Sequence, residues 1–395
     1  MERRCPYCLS PVQSGAPCPA CGRDWEGYQP ASHHLPPGSL LQERYQLGRA
    51  LGEGGFGITY LGWDTVLKRK VAVKEYFPTF LVSREVSLTL DVTCHTSGNQ
   101  PTYEKGREQF LREAKTMAKL DSIPEIVQVL DHFPEHNTAY IVMEFLEGRT
   151  LKEVVAQSGP IPADTMLALL EPVLRAMEAM HQAGVIHRDI SPDNLMWMPD
   201  NTLKLLDFGC ARSMEDGRSM SVLLKHGFAP VEQYQTRGQG PETDIYALSA
   251  TIYFCLTATM PPASVERLEE DALQPPTALG ADLAPWEEEA LLWGLAVQPK
   301  ARPASVEQFA SKLYNDADWG HGGKMETVSF NGGTTIAIGG PAPRPNDTAG
   351  KTSDKTVSTD KTASRPAGRV AVVCAVAAGL VLVVCLAAAG ISAAT

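Results

Sequence analysis

The sequence predicts an α+β protein of uneven build, with one large unit, a very small one ahead of it and an apolar helix behind. Three observations carry that prediction. Residues 42–315 show short strand patterns first and longer helical patterns later, the order expected of an α+β domain. Four of the nine cysteines fall within the first 21 residues. The last 26 residues contain no charged side chain. With 44% hydrophobic and 21% charged residues over 395 positions, the chain can bury a sizeable core and is neither a disordered nor a collagen-like sequence. Its net charge of −11 argues against a protein that coats nucleic acid, since phosphate binding needs a basic footprint.

Residues 1–25 form the first unit. They lack the apolar stretch of a signal peptide, so this end is expected in the cytosol, where disulfides are rare. Cys5-x2-Cys8 and Cys18-x2-Cys21 then supply two thiolate pairs at tight-turn spacing, with nine residues between them, which suits tetrahedral Zn²⁺. Pro6 and Pro19 stiffen the turns and Gly22 lets the backbone reverse after the last ligand. Four sulfurs leave no position for a reactive water, so the ion would be structural and the main source of folding energy for so short a unit. The segment resembles a zinc ribbon, and a ribbon could dock a protein partner. Free thiols in a flexible leader are the other reading. Residues 26–41, with three prolines and with His33 and His34, read as a linker; the two histidines could bind metal, but four cysteines already suffice.

Within residues 42–315, small and apolar residues alternate around Leu51-Gly52-Glu53-Gly54-Gly55-Phe56-Gly57-Ile58-Thr59-Tyr60. Glycines at 52, 54 and 57 let a backbone approach phosphate oxygens, and strand patterns on both sides favour a glycine-rich flap over a dinucleotide-binding turn. Val71-Ala72-Val73-Lys74 ends an apolar strand on a lysine, for which burial requires a partner. A helical pattern follows at Phe110, Ala114, Met117 and Leu120, with Glu113 at its edge. Further on stand His187-Arg188-Asp189-Ile190-Ser191-Pro192-Asp193-Asn194 and Asp207-Phe208-Gly209.

In this order and spacing, these residues resemble a bacterial, eukaryotic-like (Hanks-type) Ser/Thr protein kinase. The resemblance implies a bilobal fold, an antiparallel N-lobe sheet with one main helix and a helical C-lobe, and an ATP:protein phosphotransferase acting in signalling, with autophosphorylation. It implies that Lys74 holds the α- and β-phosphates and pairs with Glu113, that Asp189 orients or accepts the substrate hydroxyl proton, and that Asn194 and Asp207 hold Mg²⁺, or Mn²⁺ in its place. Leu51, Gly52, Gly54, Gly55, Gly57 and Thr59 would cover the nucleotide, Ala72 and Met196 would sandwich adenine, and the Glu144 carbonyl and Leu146 amide would read the base edge. Glu232 is expected to pair with Arg302, Asp244 to brace the catalytic loop, and Arg188 to answer phosphorylation at Ser213, Ser219 or Ser221.

Three departures stand out. Ser191 occupies a position where such kinases carry a lysine, leaving the choice between Ser/Thr and Tyr substrates to the overall resemblance. Lys74 and Glu113 are 39 positions apart, which implies an insert around 75–102 and keeps Glu85, Glu104 and Glu108 open as partners. Lys225-His226-Gly227-Phe228 lacks the usual threonine. The rival readings are a membrane-tethered pseudokinase adaptor that docks partners through the ribbon, and a small-molecule phosphotransferase. Joint retention of Lys74, Asp189, Asn194 and Asp207 speaks against the first, and the Glu232 and Arg302 pair against the second.

Residues 316–369, rich in Gly, Thr, Ser, Pro and Asp, read as a disordered tether. Residues 370–391 give 22 apolar or small residues, enough to cross a bilayer once. Lys351, Lys355, Lys361, Arg365 and Arg369 precede the run and no Lys or Arg follows it, which puts the kinase in the cytoplasm of a single-pass protein of the cell membrane. Ala371, Ala375 and Gly379 at four-residue spacing offer a homodimer face, although in so alanine-rich a run chance explains them as well.

Overall fold

The computed structural model describes residues 2–207, 224–235, 238–317, 319, 325–329 and 335–339. In chain order the first half contains β1 (Leu40–Leu41), β2 (Tyr45–Gly54), β3 (Gly57–Asp64), β4 (Arg69–Tyr76), β5 (Val82–Ser83), β6 (Thr93–Cys94), helix α1 (Gln100–Met117), β7 (Val129–Glu135) and β8 (Thr138–Glu144). All strands except β5 and β6 join one antiparallel sheet in the order β1-β2-β3-β4-β8-β7. The alternation along β4 gives that sheet two distinct faces. Val71, Val73 and Glu75 are fully buried, whereas Ala72 and Lys74 between them are half-buried.

The face that carries Glu75 is closed by the stretch read as a linker and by the insert after β4. Leu35 and Leu41 lie in the core, β1 pairs with β2, and the Leu35 amide donates to the Tyr60 hydroxyl at 3.1 Å. The insert folds back as the short β5–β6 ladder, with Val82 and Val92 buried. Arg84 reaches from it to Glu75, and neither side chain is exposed at all. Glu75 also accepts from the hydroxyls of Tyr60 at 3.1 Å and Tyr140 at 2.9 Å, so this buried charge is fully engaged. Residues 33–41, within the stretch read as a linker, are therefore a packed part of the domain, because Leu35 and Leu41 close a sheet face that would otherwise meet water.

The cysteine unit is likewise seated on the sheet. The Arg49 amide donates to the Pro6 carbonyl at 2.9 Å, and the Arg4 guanidinium lies over the Trp63 ring at 4.2 Å. Gly48 makes that approach possible, for a Cβ there would sit 2.8 Å from the Pro6 carbonyl oxygen.

The second half is mainly helical. It contains β9 (Arg149–Thr150), α2 (Leu151–Ser158), α3 (Ala163–Gln182), β10 (Leu195–Trp197), β11 (Leu203–Leu205), α4 (Val231–Gln235), α5 (Pro241–Thr257), α6 (Pro285–Gly294) and α7 (Val306–Leu313). Nearly every residue of α5 is buried, which makes it the central post of this lobe. Helix α2 is opened by a capping box between Thr150 and Glu153. An antiparallel hairpin, β12 (Met325–Ser329) with β13 (Thr335–Gly339), lies inside the segment read as a tether. Its two short apolar alternations were masked by the polar average of the surrounding fifty residues. Among the described residues no helix is long and apolar enough to cross a membrane, and residues 370–391 lie outside them.

Candidate active site

Lys74 stands on β4 opposite Thr59 of β3 and Ile141 of β8. Its ammonium donates to Asp207 Oδ1 at 2.7 Å, in a partly exposed pair. Glu113 stands on α1, the helix that packs against β7 and β8 of this sheet. That side chain is half-buried on α1 and accepts from Gln109 at 2.8 Å, one turn back. The other carboxylates kept open as partners are used locally: Glu104 accepts from Gln100, Glu108 faces Arg112, and Glu85 accepts from Ser87. Glu104 and Glu108 are exposed, so Glu113 is the inward carboxylate of α1.

The segment between α3 and β10 is held from below by Asp244 on α5. The backbone amides of His187 and Arg188 each donate to Asp244 at 2.7 Å, and His181 Nε2 lies 2.8 Å from the same carboxylate. Burial pushes the Asp244 carboxyl up. The hydrogen bond from His181 and the amide of Arg188 outweigh it and hold the group below its ordinary value. Arg188 takes a φ of +68°, a strained conformation for a residue with a side chain, and the paired amides on Asp244 are what sustain it. His187 is fixed in one neutral tautomer: Nε2 donates to the Leu206 carbonyl at 2.7 Å and Nδ1 accepts from the Asp189 amide at 3.2 Å. Burial lowers its pKa.

Asn194 Nδ2 donates to the Asp189 carbonyl at 2.7 Å and to Asp189 Oδ2 at 3.0 Å, which sets the orientation of that carboxylate. The Leu206 amide donates to the Asn194 carbonyl at 2.8 Å, tying the strand before Asp207 to the same loop. A residue not foreseen as functional completes the group. Lys225 places its ammonium 2.7 Å from Ser191 Oγ and 3.3 Å from Asp189 Oδ2. Serine where a lysine was expected, and lysine where a threonine was expected, have exchanged places around one carboxylate. The two anomalies were visible separately in the sequence, 34 positions apart, and only the fold shows that they compensate.

The glycine-rich hairpin pairs Gly52 with Thr59 and Gly54 with Gly57. A Cβ at Gly57 would lie 2.3 Å from the Glu75 carbonyl oxygen, so packing excludes a side chain there. At Gly52 and Gly54 a Cβ would meet nothing within 4 Å, and neither has a positive φ. Internal packing does not account for those two glycines, and open space above a backbone suits a ligand that must come close. Ala72 shares the Lys74 face of β4, and Met196 is half-buried on β10. Glu144 ends β8 with its side chain engaged by Lys204 at 2.7 Å, and Leu146 packs against the core.

Two further groups of residues are brought together. Arg302 grips Glu232 through two bonds of 2.7 and 3.1 Å, both side chains buried, with Thr243 adding a third bond at 2.9 Å. The four cysteines converge, with Cys5 and Cys21 sulfurs 3.8 Å apart, Cys8 and Cys18 sulfurs 3.5 Å apart, and all four within 4.8 Å. A tetrahedral ion with sulfur at about 2.3 Å needs sulfurs about 3.8 Å apart, so the cluster fits Zn²⁺. Both halves fold alike. The Leu9 amide returns to the Cys5 carbonyl as the Gly22 amide does to Cys18, and Leu9 and Gly22 both have positive φ. Burial opposes ionisation of Cys18, yet the amides of Cys21 and Ala20 and the Cys8 thiol bring it down to about 7. Ser213, Ser219, Ser221, Phe208 and Gly209 lie outside the described residues.

The family model for the protein kinase domain matches residues 45–289. The chain is 32% identical over 290 residues to serine/threonine-protein kinase PknB of Mycolicibacterium smegmatis, covering 69% of this chain and 43% of that one. It is 31% identical over 230 residues to serine/threonine-protein kinase PknL of Mycobacterium tuberculosis, covering 56% and 51%. The chain thus spans about half or less of the length of these relatives. Among solved structures, the apo form of PpkA-294 is 37% identical with a TM-score of 0.65, covering 71% of this chain and 100% of that one. Rad53 residues 1–466 in complex with AMP-PNP is 19% identical with a TM-score of 0.53, a likeness of fold alone.

Proposed function

The chain belongs to the protein kinase family and groups within it with serine/threonine-protein kinases, and from this premise we propose that it transfers the γ-phosphate of ATP to serine or threonine hydroxyls of proteins, itself included, beside a membrane. The observation that carries the reading is the convergence of Lys225 and Asn194 on the Asp189 carboxylate, with Ser191 Oγ accepting from the same Lys225 ammonium, together with the Lys74–Asp207 pair. Asp189 accepts the proton of the attacking hydroxyl, in the orientation that Asn194 imposes. Lys225 sets a fixed cation beside that carboxylate, and Lys74 another across the site, where phosphate charge develops. Asn194 and Asp207 offer hard oxygen donors of the kind Mg²⁺ or Mn²⁺ takes, because Asn194 gives its N–H groups to Asp189 and keeps its amide oxygen for a cation. When bound, that ion neutralises phosphate charge.

The four-cysteine geometry supports a structural Zn²⁺, with the ribbon as a surface for a protein partner. Support for the membrane span comes from residues 370–391, and for a cytoplasmic kinase from the basic residues before them. The full chain, given labelled ATP and Mg²⁺ beside an Asp189→Asn variant, is expected to label itself or an added protein, and the variant to lose about 10²–10⁴ of that rate. ATP binding without label on either protein would favour a silent adaptor.

A further inference from the structure

His33 and His34 bring both their rings to one carboxylate of the glycine-rich hairpin. His33 Nε2 lies 2.9 Å from Glu53 Oε1, and His34 Nε2 lies 2.9 Å from Glu53 Oε2. Successive side chains of an extended chain point apart. Here a turn, closed by the His34 amide on the Ala31 carbonyl at 2.9 Å, brings them together. The rings are braced from outside the cluster. His33 stacks on Phe77 with centroids 5.6 Å apart, and His34 meets Tyr60 edge-on at 6.0 Å. The His33 carbonyl accepts from Arg84 at 3.1 Å, which links the turn to the buried Glu75 cluster. The three side chains remain 30%, 11% and 33% exposed, so a solvated ion can reach them.

Two imidazole nitrogens and a carboxylate oxygen, all within 4.8 Å of one another, are a zinc donor set with one coordination position left for water. Two rings preset beside one carboxylate bring three donor atoms to one point, as a chelate does. We propose that His33, His34 and Glu53 form a second transition-metal site, which takes Zn²⁺ and ties the glycine-rich hairpin to the N-terminal segment. In the bound form each neutral ring coordinates through Nε2 and carries its single proton on Nδ1, the proton of an Nε2–H tautomer having passed to Nδ1 through water. Glu53 stands between Gly52 and Gly54 and opposite Ile58, on the Glu75 face of the sheet rather than the Lys74 face. The hairpin tip is already held on that side by the Phe77 amide on the Phe56 carbonyl at 2.9 Å. Filling the site fixes the hairpin away from the Lys74 face and weakens nucleotide binding.

The full chain, stripped of metal and titrated with Co²⁺, separates this site from the cysteines, since only cobalt on sulfur gives thiolate charge-transfer bands. Wild type is expected to bind two classes of ion, one with those bands and one without. His33→Gln with His34→Gln keeps an N–H donor for Glu53 but removes the imidazoles, and is expected to lose the second class alone. Binding of the thiolate class only by wild type, or both classes in the variant, would overturn the proposal. Resting on the kinase reading, Zn²⁺ at the second site should raise KM for ATP severalfold in wild type and not in the variant. A filled site with unchanged KM would refute the clamp, while absence of phosphotransfer with both metal classes present would refute the kinase reading alone.

Discussion

Lys74 and Glu75 are neighbours on one strand, and each ends in an ion pair, yet the two pairs belong to different worlds. Lys74 meets Asp207 across a cleft, with side chains 16% and 35% exposed, and Glu75 meets Arg84 with both at 0%. A half-exposed pair of opposite charges adds little to stability but leaves both groups able to exchange partners when a phosphate arrives. The buried pair is shut off from solvent and from any other charge, and breaking it strands one. Adjacent residues on a pleated strand thus divide the work, one face reactive and the other holding the cover that keeps the sheet dry.

The largest expected effects break this contrast directly. Lys74→Met should lower the phosphotransfer rate by about 10²–10³-fold while leaving the urea midpoint nearly unchanged. Arg84→Met should do the reverse, removing about 3–5 kcal/mol of stability by leaving Glu75 uncompensated. Adding Glu75→Gln to Arg84→Met should restore much of that loss. Equal destabilisation by Lys74→Met and Arg84→Met would remove the distinction between the faces.

A smaller effect sharpens what the reactive face contains. Lys225→Thr should lower kcat by about tenfold to a hundredfold, through loss of the cation beside Asp189. Ser191→Lys added to Lys225→Thr should recover most of that loss by returning the charge from the opposite side of the carboxylate. Steady-state kinetics on the two variants measure both, and an unrescued double variant would show that Lys225 acts through its backbone segment instead.

These residues also mark what could be read before the fold was known. Lys74, Asp189, Asn194 and Asp207 could be singled out by the spacing of their motifs, and Asp244, Glu232 and Arg302 by the stretches they stand in, and the fold joins Lys74 to Asp207, Asn194 to Asp189, Asp244 to the loop at His187 and Arg302 to Glu232. Arg84 was not, since nothing in a short insert announces that one arginine will turn inward. Lys225 was not, because its meaning depends on Ser191, 34 positions earlier in the chain. The stretch 26–41 looked like a linker by composition, and its few apolar residues, Leu35 and Leu41, matter only because a sheet face lacks other cover. The hairpin of β12 and β13 was lost in an average for the same reason that average composition hides short elements generally.

The smallest predicted effect concerns acid. His187 is buried and neutral, with its pKa below the unfolded value of about 6.5, so the unfolded chain binds its proton first as pH falls. Its contribution to stability is complete above about pH 6.5 and is lost progressively below it, by no more than about 1.4 kcal/mol per pH unit. Asp244 follows the same sign in a separate window. Its carboxyl is held below the unfolded value of about 3.9, so its contribution begins to fall only near that pH. Between about pH 7 and about pH 5.5 the slope therefore reports on His187 and not on Asp244. Protonation there also turns Nδ1 from acceptor to donor against the Asp189 amide, so activity should decline together with stability. Urea midpoints at the two pH values, compared between wild type and His187→Asn, isolate this contribution from the other histidines: the variant should be less stable at about pH 7 and show a flatter slope. A slope identical in the two proteins would mean that the Leu206 and Asp189 bonds hold the ring equally well in its charged form, and that the catalytic loop, unlike the Glu75 cluster, tolerates a buried charge.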